Sequence, residues 1–228
     1  MIEDYRKQME LIEVEKFNKR INVIGCGALG SWLVFYLLKM GFENIHVYDF
    51  DEIEEHNIPN QLFKENQIKK KKTSAVEEIY NEFFTDDTER LIIHDLKITD
   101  ENAQSLTGIT FCCVDSMAGR KEIYENCYKY GKTELWIEGR IGIFGGFIYT
   151  LDEKDIEIFE EYEKTLYADE EAEVSACGIS QTALPAATNV ASNMLMQLIS
   201  WYRGNDVYNS IRYQIPDLLC FRERWKNK

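Results

Sequence analysis

Apolar residues recur along this chain in two rhythms, short continuous runs and longer helical stripes, and the two alternate. Ile21-Asn22-Val23-Ile24 is a short run that leads into Gly25-Cys26-Gly27-Ala28-Leu29-Gly30. Residues 29–40, LGSWLVFYLLKM, are apolar all round and predict a buried helix stopped at Gly41. A second run at 45–49 closes a βαβ unit over residues 20–49, about the ~30 residues such a unit needs. Ala75, Ile79 and Phe83 recur at a spacing of four and predict a helix over 72–84. Strands are expected at 91–97, at 109–114 ending on Asp115, at 135–138 and at 143–151, with a helix over 117–130. Residues 152–176 are acidic and predict a loop with at most one helical turn. An apolar helix over 180–203 and a strand pair around Pro216 complete the pattern. At the amino end, Tyr5, Met9, Ile12 and Phe17 fall near one face and predict an amphipathic helix over 3–19. The alternation defines the α/β class: a Rossmann-like, doubly wound, mostly parallel sheet with antiparallel C-terminal strands.

Composition narrows the chemistry. The net charge of −14 repels phosphate backbones, which argues against nucleic acid as a main partner. Six cysteines, at 26, 112, 113, 127, 177 and 220, include no Cys-x-x-Cys pair, so no structural zinc is expected. Their pattern fits a reducing cytosol, and a cytoplasmic location is expected. The amino terminus is too polar for a signal peptide. Residues 183–201, the most apolar long stretch, are broken by Thr188, Asn189, Ser192, Asn193 and Gln197, so no membrane span is expected.

Gly25-x-Gly27-x-x-Gly30 comes after a strand and opens a helix. There glycines let the backbone turn tightly and approach an anion, which the free N–H groups of the helix start receive. Asp49 stands at the end of the next strand, 19 residues after Gly30, where an acid binds ribose hydroxyls. Asp51 helps order the turn. These residues serve NAD and ATP equally well, and the residues beyond them favour ATP. Asn57, Asn60 and Gln61 supply uncharged donors and acceptors. A lysine of the run Lys69–Lys72 brings the positive charge that a leaving pyrophosphate requires. Asp115, at a carboxyl strand end, sits where ligands bind in open α/β sheets, and beside a nucleotide it calls for Mg²⁺.

Together these residues resemble the ThiF/MoeB/HesA adenylating enzymes, relatives of the ubiquitin-activating enzymes. That family runs Gly-x-Gly-Gly-Leu-Gly, Asp-x-Asp-x-Val, Ser-Asn-Leu-x-Arg-Gln, a lysine and a strand-end Asp. This chain has GCGALG at 25–30, DFDEI at 49–53, HNIPNQ at 56–61, Lys71 or Lys72, and CVDS at 113–116. WIEGRIGIFGGFIY at 136–149 and CGISQTALPAATNVASNMLMQL at 177–198 extend the likeness over nearly the whole chain. The resemblance implies one adenylation domain over 1–228: an N-terminal helix at 3–19, a nucleotide-binding core at 20–130, and an acceptor half with its crossover loop at 131–228. It implies ATP and Mg²⁺, release of pyrophosphate, and a carboxylate acceptor at the C-terminus of a ubiquitin-like protein or peptide. It also implies a homodimer in which an N-terminal arginine, here Arg6, reaches the partner's phosphates. By the same resemblance Gly25, Gly27, Ala28 and Gly30 form the phosphate loop and Asp49 binds ribose. Asn57, Gln61 and a lysine hold phosphates, with Lys72 preferred over Lys71 because it places Ala75 at the family's small position. Asp115 positions Mg²⁺.

The departures carry weight. Asn60 replaces the family arginine and removes a fixed positive charge. This leaves a second reading open, a degenerate nucleotide-binding partner subunit or scaffold. Cys177 stands where some members place an acyl- or sulfur-carrying cysteine, but the structural-thiol reading is favoured, because many members need only adenylation and Glu171 and Glu173 would raise its pKa. His46 and His94 read as packed strand residues, and His56 replaces the family serine beside the amides.

Overall fold

The computed structural model describes residues 5–84, 90–167 and 182–225. Its centre is the buried run Ile21–Ile24, which forms β1, and the glycine loop after it, which turns into α1 (Gly30–Lys39). Gly41, at φ +86°, ends that helix and returns the chain to β2 (Ile45–Asp49). Then come α2 (Lys72–Phe83), β3 (Leu91–Asp95), a single turn α3 (Asp100–Ala103) and β4 (Thr107–Cys112). The other half holds α4 (Met117–Ile123), β5 (Lys132–Ile141), β6 (Gly145–Leu151), α5 (Ile156–Glu163), α6 (Leu184–Tyr202), β7 (Ser210–Gln214) and β8 (Leu219–Glu223).

Among the described residues the strands form one eight-stranded sheet, ordered β3-β2-β1-β4-β5-β6-β7-β8. It is parallel from β3 through β5 and antiparallel from β6 onward. α1, α2 and α6 cover one face over Val23, Val47, Phe111 and Ile137. α4, α5 and the turn after α4 cover the other over Ile24, Cys112 and Trp136. Strand order reverses between β1 and β4, so the crevice at their carboxyl ends is the ligand position of this topology.

Three expectations need correction. The helix expected over 3–19 is not formed by its described residues: among residues 5–19 there are two separate 3₁₀ turns, Arg6–Gln8 and Val14–Lys16. The carbonyls an α-helix would use internally are claimed by the end of α6. Arg203 donates to the carbonyls of Glu10 (2.5 Å) and Leu11 (2.8 Å), and the Tyr202 hydroxyl to that of Lys16 (3.0 Å). Buried Ile12, Val14 and Phe17 trace no helical stripe, and Met9 stays exposed. The acidic stretch after β6 holds a two-turn helix, α5, because Asp155 caps it through the Glu157 amide (2.9 Å) and Ile158 and Tyr162 bury at i, i+4. The helix expected over 117–130 changes at Tyr124 to a wider π-helical turn through Lys129.

The crossover between β3 and β4 carries only the short α3. It leaves the sheet face over β2 half open, and there Tyr48, His94 and His46 stack. The two imidazoles share a 2.9 Å hydrogen bond, which makes them strand-packing groups as expected. No described helix is long and apolar enough to cross a membrane.

Candidate functional site

The glycine loop meets β4 at the strand reversal. A Cβ on Gly25 would lie 2.8 Å from the Cys113 carbonyl oxygen, and one on Gly30 would lie 1.9 Å from the Gly25 carbonyl oxygen. Gly25 also holds φ +89°. These two glycines are demanded by the chain's own backbone. Gly27 differs. Among the described residues, a Cβ there would meet nothing nearer than Gln61 Nε2, at 3.8 Å. Among them its outward face is bare, beside the amide segment and the start of α1. Ala28, half buried, completes the turn.

Asp49 is buried beneath this loop and tied to it. Oδ2 accepts the Cys26 amide at 2.6 Å and Oδ1 accepts the Asp51 amide at 2.8 Å. Each oxygen keeps one further lone pair for a ligand hydroxyl. Burial pushes the Asp49 carboxyl up, and the Lys72 ammonium opposes that shift. Lys72 opens α2, with its Nζ 2.8 Å from Asp51 Oδ2. Burial works to lower its pKa, but Asp49 and Asp51 outweigh that, so it stays cationic. Lys71 turns the other way, donating to the Phe50 carbonyl at 2.8 Å and lying 3.7 Å from Asp95. Of the two lysines, only Lys72 joins the Asp49–Asp51 pair.

The amide segment lies over the first turn of α1. The Leu62 amide donates to Ser31 Oγ (3.1 Å) and Trp32 Nε1 to the Asn60 carbonyl (3.1 Å). Asn60 Nδ2 donates to Thr182 just ahead of α6. Among the described residues, Asn60 Oδ1 and Gln61 Oε1 are buried without a partner, so both are acceptors open to a donor. Asn57 is otherwise engaged: its Oδ1 accepts the Glu54 amide at 2.9 Å and caps the turn Glu55–Asn57. His56 is exposed, 3.5 Å from Glu54.

Asp115 is exposed two residues beyond the Gly25–Cys113 approach. Arg6 does not join the site within one chain. Its neighbour Tyr5 packs on Gly41, at the opposite end of the ten-residue α1, roughly 15 Å from the loop. Cys177 lies outside the described residues. The thiols of Cys26, Cys112 and Cys113 are buried and pushed up by burial, so they are packing groups.

Sequence reasoning missed a second ion cluster. Glu138, fully buried near the end of β5, lies 2.9 Å from Arg120 Nη1 and also accepts from Arg140 Nε and the Tyr162 hydroxyl. The two guanidiniums outweigh burial and lower the Glu138 carboxyl. The signal was present: an acid in the apolar strand WIEGRI, with an arginine two residues on, on the same face.

The strand order and the glycine loop define an α/β protein of the doubly wound type. Residues 5–226 match the ThiF family model, and the chain belongs to that family. It is 23% identical over 199 residues to ubiquitin-like modifier-activating enzyme 5 of Dictyostelium discoideum, covering 79% of this chain and 51% of that protein. It is 32% identical over 117 residues to the Nedd8-activating enzyme E1 catalytic subunit of Drosophila melanogaster, covering 50% of this chain and 26% of that one. The chain thus spans about half the length, or less, of the curated relatives it matches. Among solved structures, MccB of E. coli superposes with a TM-score of 0.75 at 15% identity, over 99% of this chain and 70% of that one. PaaA gives 0.71 at 13%, over 98% and 73%. Identities this low establish a shared fold.

Proposed function

We propose that the chain is an ATP-dependent adenylyltransferase that activates the C-terminal carboxylate of a ubiquitin-like protein or peptide. The observation that carries this reading is the bare face of Gly27 at the start of α1, beside the unpartnered oxygens of Asn60 and Gln61. Packing accounts for Gly25 and Gly30 but not for Gly27. Backbone N–H groups there suit an anionic phosphate. The orphaned amide oxygens suit ligand hydroxyl or amino groups. ThiF membership and relatives named as modifier-activating enzymes support the reaction class, and the fold is one on which MccB has been solved with ATP.

In this reading Asp49 accepts a ribose hydroxyl on its free lone pairs, and the loop Gly25–Gly30 receives the phosphates. Lys72, kept cationic by its two aspartates, adds charge at the phosphate end. Asp115, with its exposed carboxylate, would hold Mg²⁺, which supplies charge neutralisation at the phosphates. One protein carboxylate suits that ion, which keeps most of its ligands as waters and phosphate oxygens. A carboxylate oxygen of the acceptor bonds to the α-phosphorus. The bond from that phosphorus to the bridging oxygen breaks, and pyrophosphate leaves. The acceptor is already a nucleophile, so no general base is needed, and catalysis is positioning plus electrostatics. Arg6, far from its own loop, acts in this reading on the site of the partner subunit in a homodimer.

The test is ATP–pyrophosphate exchange with candidate C-terminal peptides, comparing wild type with Asp115→Ala. Loss of exchange in the variant supports the reading, and unchanged exchange overturns it. A second reading has its own observation. Lys72 is already paired with Asp51, and Asn60 brings no charge where the family has arginine. A degenerate partner subunit of the same fold would bind ATP tightly and exchange with no acceptor.

A further inference from the structure

One arm of the Glu138 cluster leads to the strand end that carries Asp115. Cys112, the last residue of β4, is in register with Glu138 on β5. Three residues past Cys112 lies Asp115. Arg120 contacts Glu138 through Nη1 at 2.9 Å, donates from Nη1 to the Gly139 carbonyl at 3.2 Å, and from Nη2 to the Val114 carbonyl at 2.6 Å. Val114 immediately precedes Asp115. Ser116 is the next residue after it and caps α4 through the Gly119 amide at 3.2 Å. The backbone is therefore fastened on both sides of the exposed aspartate. On the far side, Arg140 donates to the Thr165 carbonyl (2.7 Å) and hydroxyl (3.0 Å), and its guanidinium lies 4.5 Å from the centre of the Tyr149 ring.

A buried ion cluster is a poor way to stabilise a fold, since well-packed apolar residues of similar volume serve as well or better. What it provides here is direction. A guanidinium is a rigid fork, and Glu138 holds the fork of Arg120 at the one angle from which Nη2 reaches the Val114 carbonyl. We infer that Arg120, oriented by Glu138, is a positioning residue that fixes the backbone carrying Asp115. The assignment of Asp115 to Mg²⁺ rests on the proposed function, but the fixing of residues 113–120 does not.

Two readouts on Arg120→Lys test this. Lysine keeps the positive charge beside Glu138 and loses the fork. The first readout is hydrogen–deuterium exchange. Exchange over residues 113–120 should quicken at least tenfold, with residues 25–31 unchanged. The second is calorimetric titration with ATP, with and without Mg²⁺. Affinity without Mg²⁺ should stay at the wild-type value, and the gain on adding Mg²⁺ should fall to that of Asp115→Ala. Unchanged exchange at 113–120 overturns the inference. So does a uniform quickening across the chain with the Mg²⁺ gain intact, which would mark the cluster as a general brace. If wild type shows no Mg²⁺ gain, the proposed function fails, and the exchange pattern alone decides the positioning role. Should Arg120→Lys not fold, Tyr162→Phe removes one hydroxyl from Glu138, leaves both guanidiniums, and is read by the same two measurements.

Discussion

Two ion clusters stand at the carboxyl edge of one sheet, and they are built on opposite terms. Asp49, Asp51 and Lys72 combine two carboxylates with one ammonium and carry one net negative charge. Glu138, Arg120 and Arg140 combine one carboxylate with two guanidiniums and carry one net positive charge. The first is open: the Asp51 side chain is 48% exposed. The second is closed: Glu138 is 0% and Arg120 4% exposed. In the first, backbone amides of the glycine loop and of Asp51 complete the carboxylate. In the second, only side chains from three elements do so. An open cluster under a glycine loop has charge and lone pairs left for a ligand. A closed cluster directs its Nη donors to the protein, with only Arg120 Nε left unpartnered among the described residues, and it acts through the backbone it holds.

Between the two clusters, the larger effect should come from breaking the closed one. Glu138→Ala leaves two buried cations without a counter-ion and should cost about 3–5 kcal/mol in urea unfolding. Lys72→Ala is the matching change in the open cluster. Asp49 loses its nearest cation but keeps both amides and can take up a proton. A loss of about 1–3 kcal/mol is expected, and equal losses at the two sites would erase the distinction between them.

Acid sharpens the contrast, because the two carboxyls shift in opposite directions. The folded-state Glu138 carboxyl is lowered, so its contribution is present above the unfolded value of 4.5 and is lost as pH falls through that region. The Asp49 carboxyl is raised above 3.8, so the folded state binds its proton more readily and Asp49 opposes the acid loss there. Glu138→Gln should therefore flatten the acid limb of a stability-versus-pH curve, and Asp49→Asn should steepen it. The two slopes, measured by urea unfolding between pH 3 and 6, must move in opposite senses.

The smallest effect on stability is expected at Gly27. Gly27→Ala places its Cβ in ordinary contact and should leave stability within about 0.5 kcal/mol. Gly30→Ala, whose Cβ would sit 1.9 Å from a backbone oxygen, should prevent normal folding. If ATP affinity falls tenfold or more in a fully folded Gly27→Ala protein, that glycine serves a ligand and not packing.

The open cluster was legible in the sequence because it is nearly contiguous. Strand, glycine loop, helix and strand-end acid succeed one another within residues 21–49, and each carries a local signal. The preference for Lys72 over Lys71 came from the family's small position at Ala75, and Lys72 is the one of the two that pairs with Asp51. The closed cluster was not legible, because Arg120, Glu138 and Tyr162 come from α4, β5 and α5 and meet only when the sheet forms. The amino-terminal turns were misread for a related reason. Their carbonyls pair with Arg203 and Tyr202, nearly two hundred residues away, and no local periodicity records that. α5 was hidden by its acidic surface, although Asp155, Ile158 and Tyr162 carried its cap and its buried stripe. The role expected of Asn57 met a local competitor, since its side-chain oxygen caps its own turn.

The most direct test of the account is calorimetric titration of the protein with ATP plus Mg²⁺, and separately with NAD, for wild type, Asp115→Ala and Gly27→Ala. The account predicts that ATP binds wild type, that Mg²⁺ strengthens it, that Asp115→Ala removes the Mg²⁺ gain, and that Gly27→Ala weakens binding at unchanged stability. Binding of NAD without ATP, or ATP binding indifferent to both substitutions, would contradict it.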